Sequence, residues 1–170
     1  MTRDAIYHER PWIKLYPGHV AGDLEIPEST ALADFERSAG ARPDKAAVCY
    51  FDHEISYSML DRLSTAFAAG LTALGVKKGD RIIVDLQNVP QFMVASYGGW
   101  KAGAIIVPIN PMYKDKEVAY FCQDTAAKIL VTQEDIAQSL DLDALRKISI
   151  EEVITTSPLD MLPPDKKVPG

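Results

Sequence analysis

A chain of 170 residues, 47% hydrophobic and 25% charged, has the size and composition of one globular domain, or of part of a larger one, with a sizeable core. A formal net charge of −6 argues against nucleic acid as a main partner, because phosphate binding needs a basic face and nothing basic clusters beyond pairs such as Lys77-Lys78 and Lys166-Lys167. No apolar run approaches the ~18 residues of a membrane span, and the charged opening MTRDAIYHERPW lacks the apolar core of a signal peptide.

Residues 1–28 carry Pro11, Pro17, Pro27, Gly18 and Gly22 around Trp12, Ile13, Leu15 and Tyr16. This predicts an extended arm with apolar anchors. A helix is predicted over Ala31–Ala39, capped by Ser29 or Thr30, with Leu32 and Phe35 inward and Gly40 as its stop. Ala46–Phe51 reads as a strand, and Asp52-His53-Glu54 turns the chain into a short segment, Ile55–Tyr57. Ser56 then caps a helix whose Leu60, Leu63, Phe67, Leu71 and Leu74 fall at spacings of three and four, a single apolar stripe. Gly75 ends it, with Val76 placed for the apolar contact that accompanies such stops.

The centre of the chain, Gly79 to Pro111, reads as a βαβ crossover. Arg81–Leu86 is a strand, Asn88 is a candidate cap, Pro90 fits the first helical turn, and the helix runs to Lys101. Gly103 supplies the left-handed stop before a second strand, Ala104–Val107. Strands this apolar belong to a parallel sheet covered on both faces, so the predicted fold is α/β, doubly wound and mainly parallel. A helix over Asp115–Asp124 burying Val118, Phe121 and Cys122 follows, then a strand at Lys128–Val131. Ile136, Leu140, Leu145 and Ile148 suggest one further amphipathic helix, and Glu152–Thr155 a last strand. Four prolines in residues 156–170 suggest a linker leading to a further region. The domain scheme is thus an arm (1–28), an α/β subdomain (29–155) and a linker (156–170).

Chemistry-bearing residues are sparse. Cys49 and Cys122 lie in apolar segments and read as buried free thiols in a reducing cytoplasm. His8, His19 and His53 make no metal-ligand spacing. Asp85 and Asn110 fall at the carboxyl ends of predicted strands, where doubly wound sheets bind ligands. Each has a local alternative: Asp85 accepting from backbone N–H groups of the next helix, Asn110 forming an Asx turn before Pro111. Gly98-Gly99 within a helix fits close helix-to-sheet approach better than a phosphate site, because no helix begins there. Phosphate-loop, nucleophile-elbow and zinc-helix patterns are absent, which disfavours a small nucleotide-binding domain. Asp34, Glu36, Asp61, Glu117 and Asp124 fall on predicted exposed helix faces. No catalytic, cofactor-binding or metal-binding residue is assigned.

Several stretches resemble the start of the adenylate-forming enzymes, which include acyl-CoA synthetases, firefly luciferase and the adenylation domains of peptide synthetases. Ser56-Tyr57-Ser58-Met59-Leu60 is similar to the family's first motif, with Met59 in place of the usual Glu. Trp100-Lys101-Ala102-Gly103 through Pro108-Ile109-Asn110 is similar to its second. Between them, LTALGVKKGDRIIVDLQNVPQFMVA resembles the family's wording, with Gln91 for a common Glu; Pro111-Met112-Tyr113 and Ala127–Thr132 also fit, and Lys114 replaces a Thr cap. Trp12–Pro17 is similar to the opening of bacterial long-chain fatty-acid–CoA ligases.

The resemblance implies a two-step reaction in the parent enzyme. A fatty-acid carboxylate attacks the α-phosphate of ATP, releasing pyrophosphate, and the thiol of CoA then attacks the acyl-adenylate. Its cofactors are ATP, Mg²⁺ and CoA. The phosphate loop, ribose-binding Asp and C-terminal Lys of that chemistry lie downstream of Gly170, so the expectation is an N-terminal segment, inert alone and binding none of the three. Its two motifs then have structural roles. Expected with it are a cytoplasmic location, with peripheral attachment to the inner membrane face left open, and a homodimer through the arm or uncovered apolar surface. Aryl, amino or short-chain acids as substrates, and a stand-alone interaction domain, are the alternatives.

Overall fold

The computed structural model describes residues 7–164. The chain divides at Thr30 into two compact units. In the first, the predicted extended arm is partly helical: Pro11–Leu15 forms a short 3-10 helix, Pro11 fitting its first turn. Arg10, at φ 48°, pairs with Asp23 at 2.6 Å and donates to the Gly22 carbonyl. Tyr7 meets Trp12 edge to face at 5.8 Å.

The second unit opens with α1 (Ala31–Ala41). Gly40 does not end this helix; it lies within it, on the exposed side. β1 (Ala46–Tyr50) and β2 (His53–Ser56) pair antiparallel as a hairpin of their own, turned by Phe51 and Asp52 at positive φ. Cys49 sits on the exposed face of β1, which corrects its expected burial; Cys122 is fully buried. Ser56 caps α2 (Tyr57–Ala73), its hydroxyl accepting from the Met59 N–H at 3.2 Å, a bond worth ~1 kcal/mol at such positions. Two first-turn donors of this helix are served from the preceding turn, the Pro43 and Lys45 carbonyls taking the Ser58 and Tyr57 N–H groups. At the far end Gly75 adopts φ 85°, Val76 N–H returns to the Leu71 carbonyl, and Val76 packs with Leu71.

The main sheet contains β3 (Arg81–Asp85), β4 (Ile105–Pro108), β5 (Ile129–Gln133) and β6 (Glu152–Thr156) in the order β4-β3-β5-β6, all parallel. α3 (Pro90–Lys101) joins β3 to β4. Its N-cap is Val89, not Asn88, and Pro90 fills the first helical position. α4 (Asp115–Thr125) joins β4 to β5. The predicted single helix before β6 is two, α5 (Glu134–Ser139) and α6 (Leu142–Ile148). Asp141 divides them: its carboxylate accepts from Ala144 N–H, and its own N–H donates to Asp115 at 2.8 Å.

Alternation along the strands builds a core on each face. Ile82, Val84, Ile129 and Val131 face α2 and α3 with Leu71 and Ala95. Ile83 and Leu130 face the other side with Val118, Cys122, Ile136 and Leu145. Phe121 is only half-buried, stacked on Tyr113. A third cluster joins Phe35, Ile55, Leu60 and Val94, against which Met161 packs. None of the described helices is long and apolar enough to cross a membrane.

Candidate functional site at the carboxyl ends of the sheet

The strand order reverses between β3 and β5, because β3 leads to its neighbour on one side through α3 while β5 leads to β6 on the other. In doubly wound sheets ligands bind beyond the carboxyl ends at this switch point. Asp85 and Thr132 stand there as register partners, both fully buried. The Thr132 hydroxyl donates to Asp85 Oδ2 at 3.4 Å, and Asp85 Oδ1 has no partner among the described residues. The expected backbone N–H donors to Asp85 are not found. Burial pushes its carboxyl up to about 6, opposed by the Thr132 bond and the charge of Lys114. Gln133 closes the crevice above, its side-chain carbonyl accepting from Gln87 N–H at 3.0 Å.

Two further polar groups organise this end. Asn110 Oδ1 accepts from Met112 N–H at 3.0 Å, the Asx turn of its local reading. Gln91 lies in the first turn of α3 and donates to the Ser157 carbonyl at 2.6 Å and the Thr156 hydroxyl at 3.2 Å, while its Oε1 has no partner among the described residues. Asp160 accepts from Thr156 Oγ1 and Ser157 N–H, both at 2.8 Å. The opening of the proline-rich stretch is therefore folded onto α3; residues 165–170 lie outside the described residues.

Lys101 faces α2, not the rim. Its ammonium donates to Asp61 Oδ1 (2.6 Å), the Asp61 carbonyl (3.1 Å), Ser64 Oγ (3.0 Å) and Thr65 Oγ1 (2.8 Å), at the edge of an open cavity that also touches Glu36 and Arg62. Asp61, expected on a solvated face, is thus an ion-pair partner. Glu117 accepts from the Lys114 N–H at 3.1 Å. Asp34 pairs with Arg37, and Glu36 and Asp124 are exposed. At the amino end of the sheet, Asp80 accepts from Lys77 N–H and pairs with Lys128 at 3.1 Å, which holds its carboxyl below the usual range. Arg81 donates to the Thr125 and Ala126 carbonyls that end α4. Gly98 and Gly99 sit where α3 meets α2 and β4 respectively.

The family model for AMP-binding enzymes matches residues 35–169. The chain belongs to that family. Among similar curated proteins, the long-chain-fatty-acid–CoA ligase of Bacillus subtilis is 29% identical over 161 residues, 94% of this chain and 28% of its own length. That of Escherichia coli O6:H1 is 31% identical over 156 residues, 91% and 28%. A solved Mycobacterium tuberculosis fatty acyl CoA synthetase superposes with a TM-score of 0.63 at 27% identity, covering 72% of this chain and 25% of that one. The chain therefore spans little more than a quarter of the curated relatives' length.

At the carboxyl end of the sheet in this AMP-binding family member, the described residues do not fit the phosphates of ATP or CoA, or a Mg²⁺ ion. The switch point offers a carboxylate with no cationic side chain bonded to it, and the loops leaving β3 and β5 contain no glycine to cradle phosphate. The Lys101 ammonium is already committed to four acceptors. No cluster of three His, Cys, Asp or Glu able to hold a metal occurs among the described residues. The sequence places Asp85 and Asn110 at the strand ends without a site role, and gives no role to Thr132, Gln91 or the Lys101–Asp61 pair. The hydroxyl ending the apolar run ILVT was the one available signal for Thr132.

Proposed function

We propose that the chain is the N-terminal part of an acid–thiol ligase that activates a long-chain fatty acid. The acid's carboxylate oxygen attacks the α-phosphorus of ATP and pyrophosphate leaves; the CoA sulfur then attacks the acyl carbon and AMP leaves. ATP, Mg²⁺ and CoA serve the parent enzyme through residues outside this chain. The observation carrying the fatty-acid reading is the reach of the similarity: at 94% coverage the Bacillus subtilis match leaves too few residues unmatched to omit the arm. That arm contains Trp12–Pro17, the stretch that resembles long-chain ligases.

The 170-residue chain performs neither step. Its family motifs act structurally, Ser56 as a helix cap and Lys101 as a tie between α2 and α3. Calorimetry with ATP·Mg²⁺ tests this reading; no heat of binding at micromolar affinity is expected, and a saturable isotherm refutes it. The cell compartment of the reading is the cytoplasm. Self-association belongs to it as well, because Ile105 on the edge strand β4 is 53% exposed and Trp100 near the end of α3 38%. Light scattering should report a dimer at high concentration, and a strict monomer removes this part of the proposal.

A further inference from the structure

The chain does not run free from the end of β6. Thr156 closes that edge strand, and two successive turns follow. Asp160 N–H donates to the Ser157 carbonyl at 3.1 Å, and Leu162 N–H to the Leu159 carbonyl at 2.9 Å. Pro158 stands second in the first turn, where its fixed φ suits the position. The Asp160 carboxylate folds back over that turn, accepting from Ser157 N–H and from the Thr156 hydroxyl, both at 2.8 Å. These bonds are local, and a detached segment could make them all.

Two further contacts are not local. Gln91 lies 65 positions before Thr156, in the first turn of α3, and is only 7% exposed. Both hydrogens of its amide cross to the segment, one to the Ser157 carbonyl at 2.6 Å and one to the Thr156 hydroxyl at 3.2 Å. The Thr156 hydroxyl accepts from Gln91 and gives its single hydrogen to Asp160, so three side chains are linked in series. Three residues along the same face of α3 stands Val94. It belongs to the apolar cluster with Phe35, Ile55 and Leu60 against which Met161 packs.

Burial follows the same two contacts. Ser157, Pro158, Met161 and Leu162 are half-buried, whereas Leu159 and Asp160 between them are exposed. A glutamine buried at the start of a helix costs free energy unless its donors are paired, and this segment is what pairs them. Its remaining oxygen, Oε1, has no partner among the described residues, so the two donated bonds are what the polar group contributes there.

We propose that residues 156–162 are a fixed strap, clasped by Gln91 at one end and anchored by Met161 at the other, which carries the chain from the edge strand across α3. The strap sets the place from which the chain continues: beside the third apolar cluster, not beyond the end of the sheet. Residues that follow it start from a fixed point instead of a mobile tether. Gln91 is a positioning residue in this device, acting through Thr156 and Ser157. The strap belongs to the fold of this chain and stands whether or not the parent enzyme is a fatty-acid ligase.

The test is amide hydrogen exchange of the 170-residue chain, with the Met161 methyl and the Gln91 side-chain amide followed by NMR. In wild type the Ser157, Asp160 and Leu162 amides should exchange about tenfold or more slowly than in a free chain. The Met161 methyl should be shifted by the aromatic rings of its cluster. Gln91→Met keeps the length of the side chain while removing both donors and the unpartnered oxygen. It should speed exchange at Ser157 several-fold and move the Met161 methyl toward its free-chain position, with the amides of β3 and β5 unchanged. Met161→Ala loosens the strap from its other end and decides the matter if Gln91→Met weakens the whole fold. It should speed exchange at Ser157 and of the Gln91 side-chain amide, which local turns alone would not transmit. Wild-type amides that exchange at free-chain rates overturn the strap. Ser157 exchange left unchanged by either substitution also overturns it, since the turns then hold the segment by themselves.

Discussion

Asp85 shows how a residue can be conspicuous in sequence while its partners are not. A lone acid ending an apolar strand is visible at once, but the side chain it meets lies 47 positions later, on a strand brought alongside by two crossovers. The backbone N–H groups expected to serve it go elsewhere, because the helix after β3 starts only at Pro90 and is capped by Val89. Its raised carboxyl has a thermodynamic consequence. A proton is held more tightly in the folded than in the unfolded chain, so this residue's contribution favours folding below pH 3.8 and is lost as pH rises through about 6. Urea unfolding of wild type and Asp85→Asn from pH 4 to 7.5 should show the variant more stable at the upper end, by about 2–3 kcal/mol, with the gap closing near pH 4. A gap independent of pH would mean that Asp85 is solvated in the native state. Lys101 was legible in a different way. The resemblance singled it out, yet only the fold shows that its ammonium ties α3 to Asp61, Ser64 and Thr65 on α2.

Among the elements, those whose signal is local were readable. The apolar stripe of α2, its serine cap and its Gly75 stop all lie within one stretch of chain, and each is present. The Gly103 stop of α3 works in the same way, with Ala104 N–H returning to the Gly99 carbonyl. The split between α5 and α6 was hidden, because Leu140 and the residues around it keep a helical spacing while Asp141 competes for the backbone. The glycine pair of α3 was read as a close approach, and the approach is double. A Cβ on Gly98 would lie 2.7 Å from the Ser64 carbonyl oxygen, whereas one on Gly99 would meet chiefly the terminal methyl of Ile106. A backbone oxygen cannot give way and a methyl can rotate. Gly98→Ala should therefore destabilise by about 2–3 kcal/mol, and Gly99→Ala by about 1 or less after the helix-propensity gain. Thermal melts of the two variants check this order, and equal losses would contradict it.

At the scale of the molecule, the parallel doubly wound sheet followed from the apolarity of its strands, since runs such as RIIV and ILV leave no polar face. The separation of β1 and β2 into their own hairpin did not follow. AAVCYF looks like another buried strand, and only its tight turn at Phe51-Asp52 folds it back on β2, with Cys49 outward. The candidate site was legible as a place, the carboxyl ends of β3 and β4, but not as an arrangement, which depends on which strands become neighbours. The charged groups at the sheet's two ends have different work: Asp80 and Arg81 fasten the amino end, while the carboxyl end carries the unsatisfied groups Asp85 and Gln91. On the proposed function, this chain is a scaffold for chemistry performed by other residues of its parent. Acid-dependent exchange of labelled pyrophosphate into ATP measures adenylate formation directly. With fatty acid, ATP and Mg²⁺ supplied, the 170-residue chain should give no exchange above buffer; exchange that rises with added fatty acid would contradict the account.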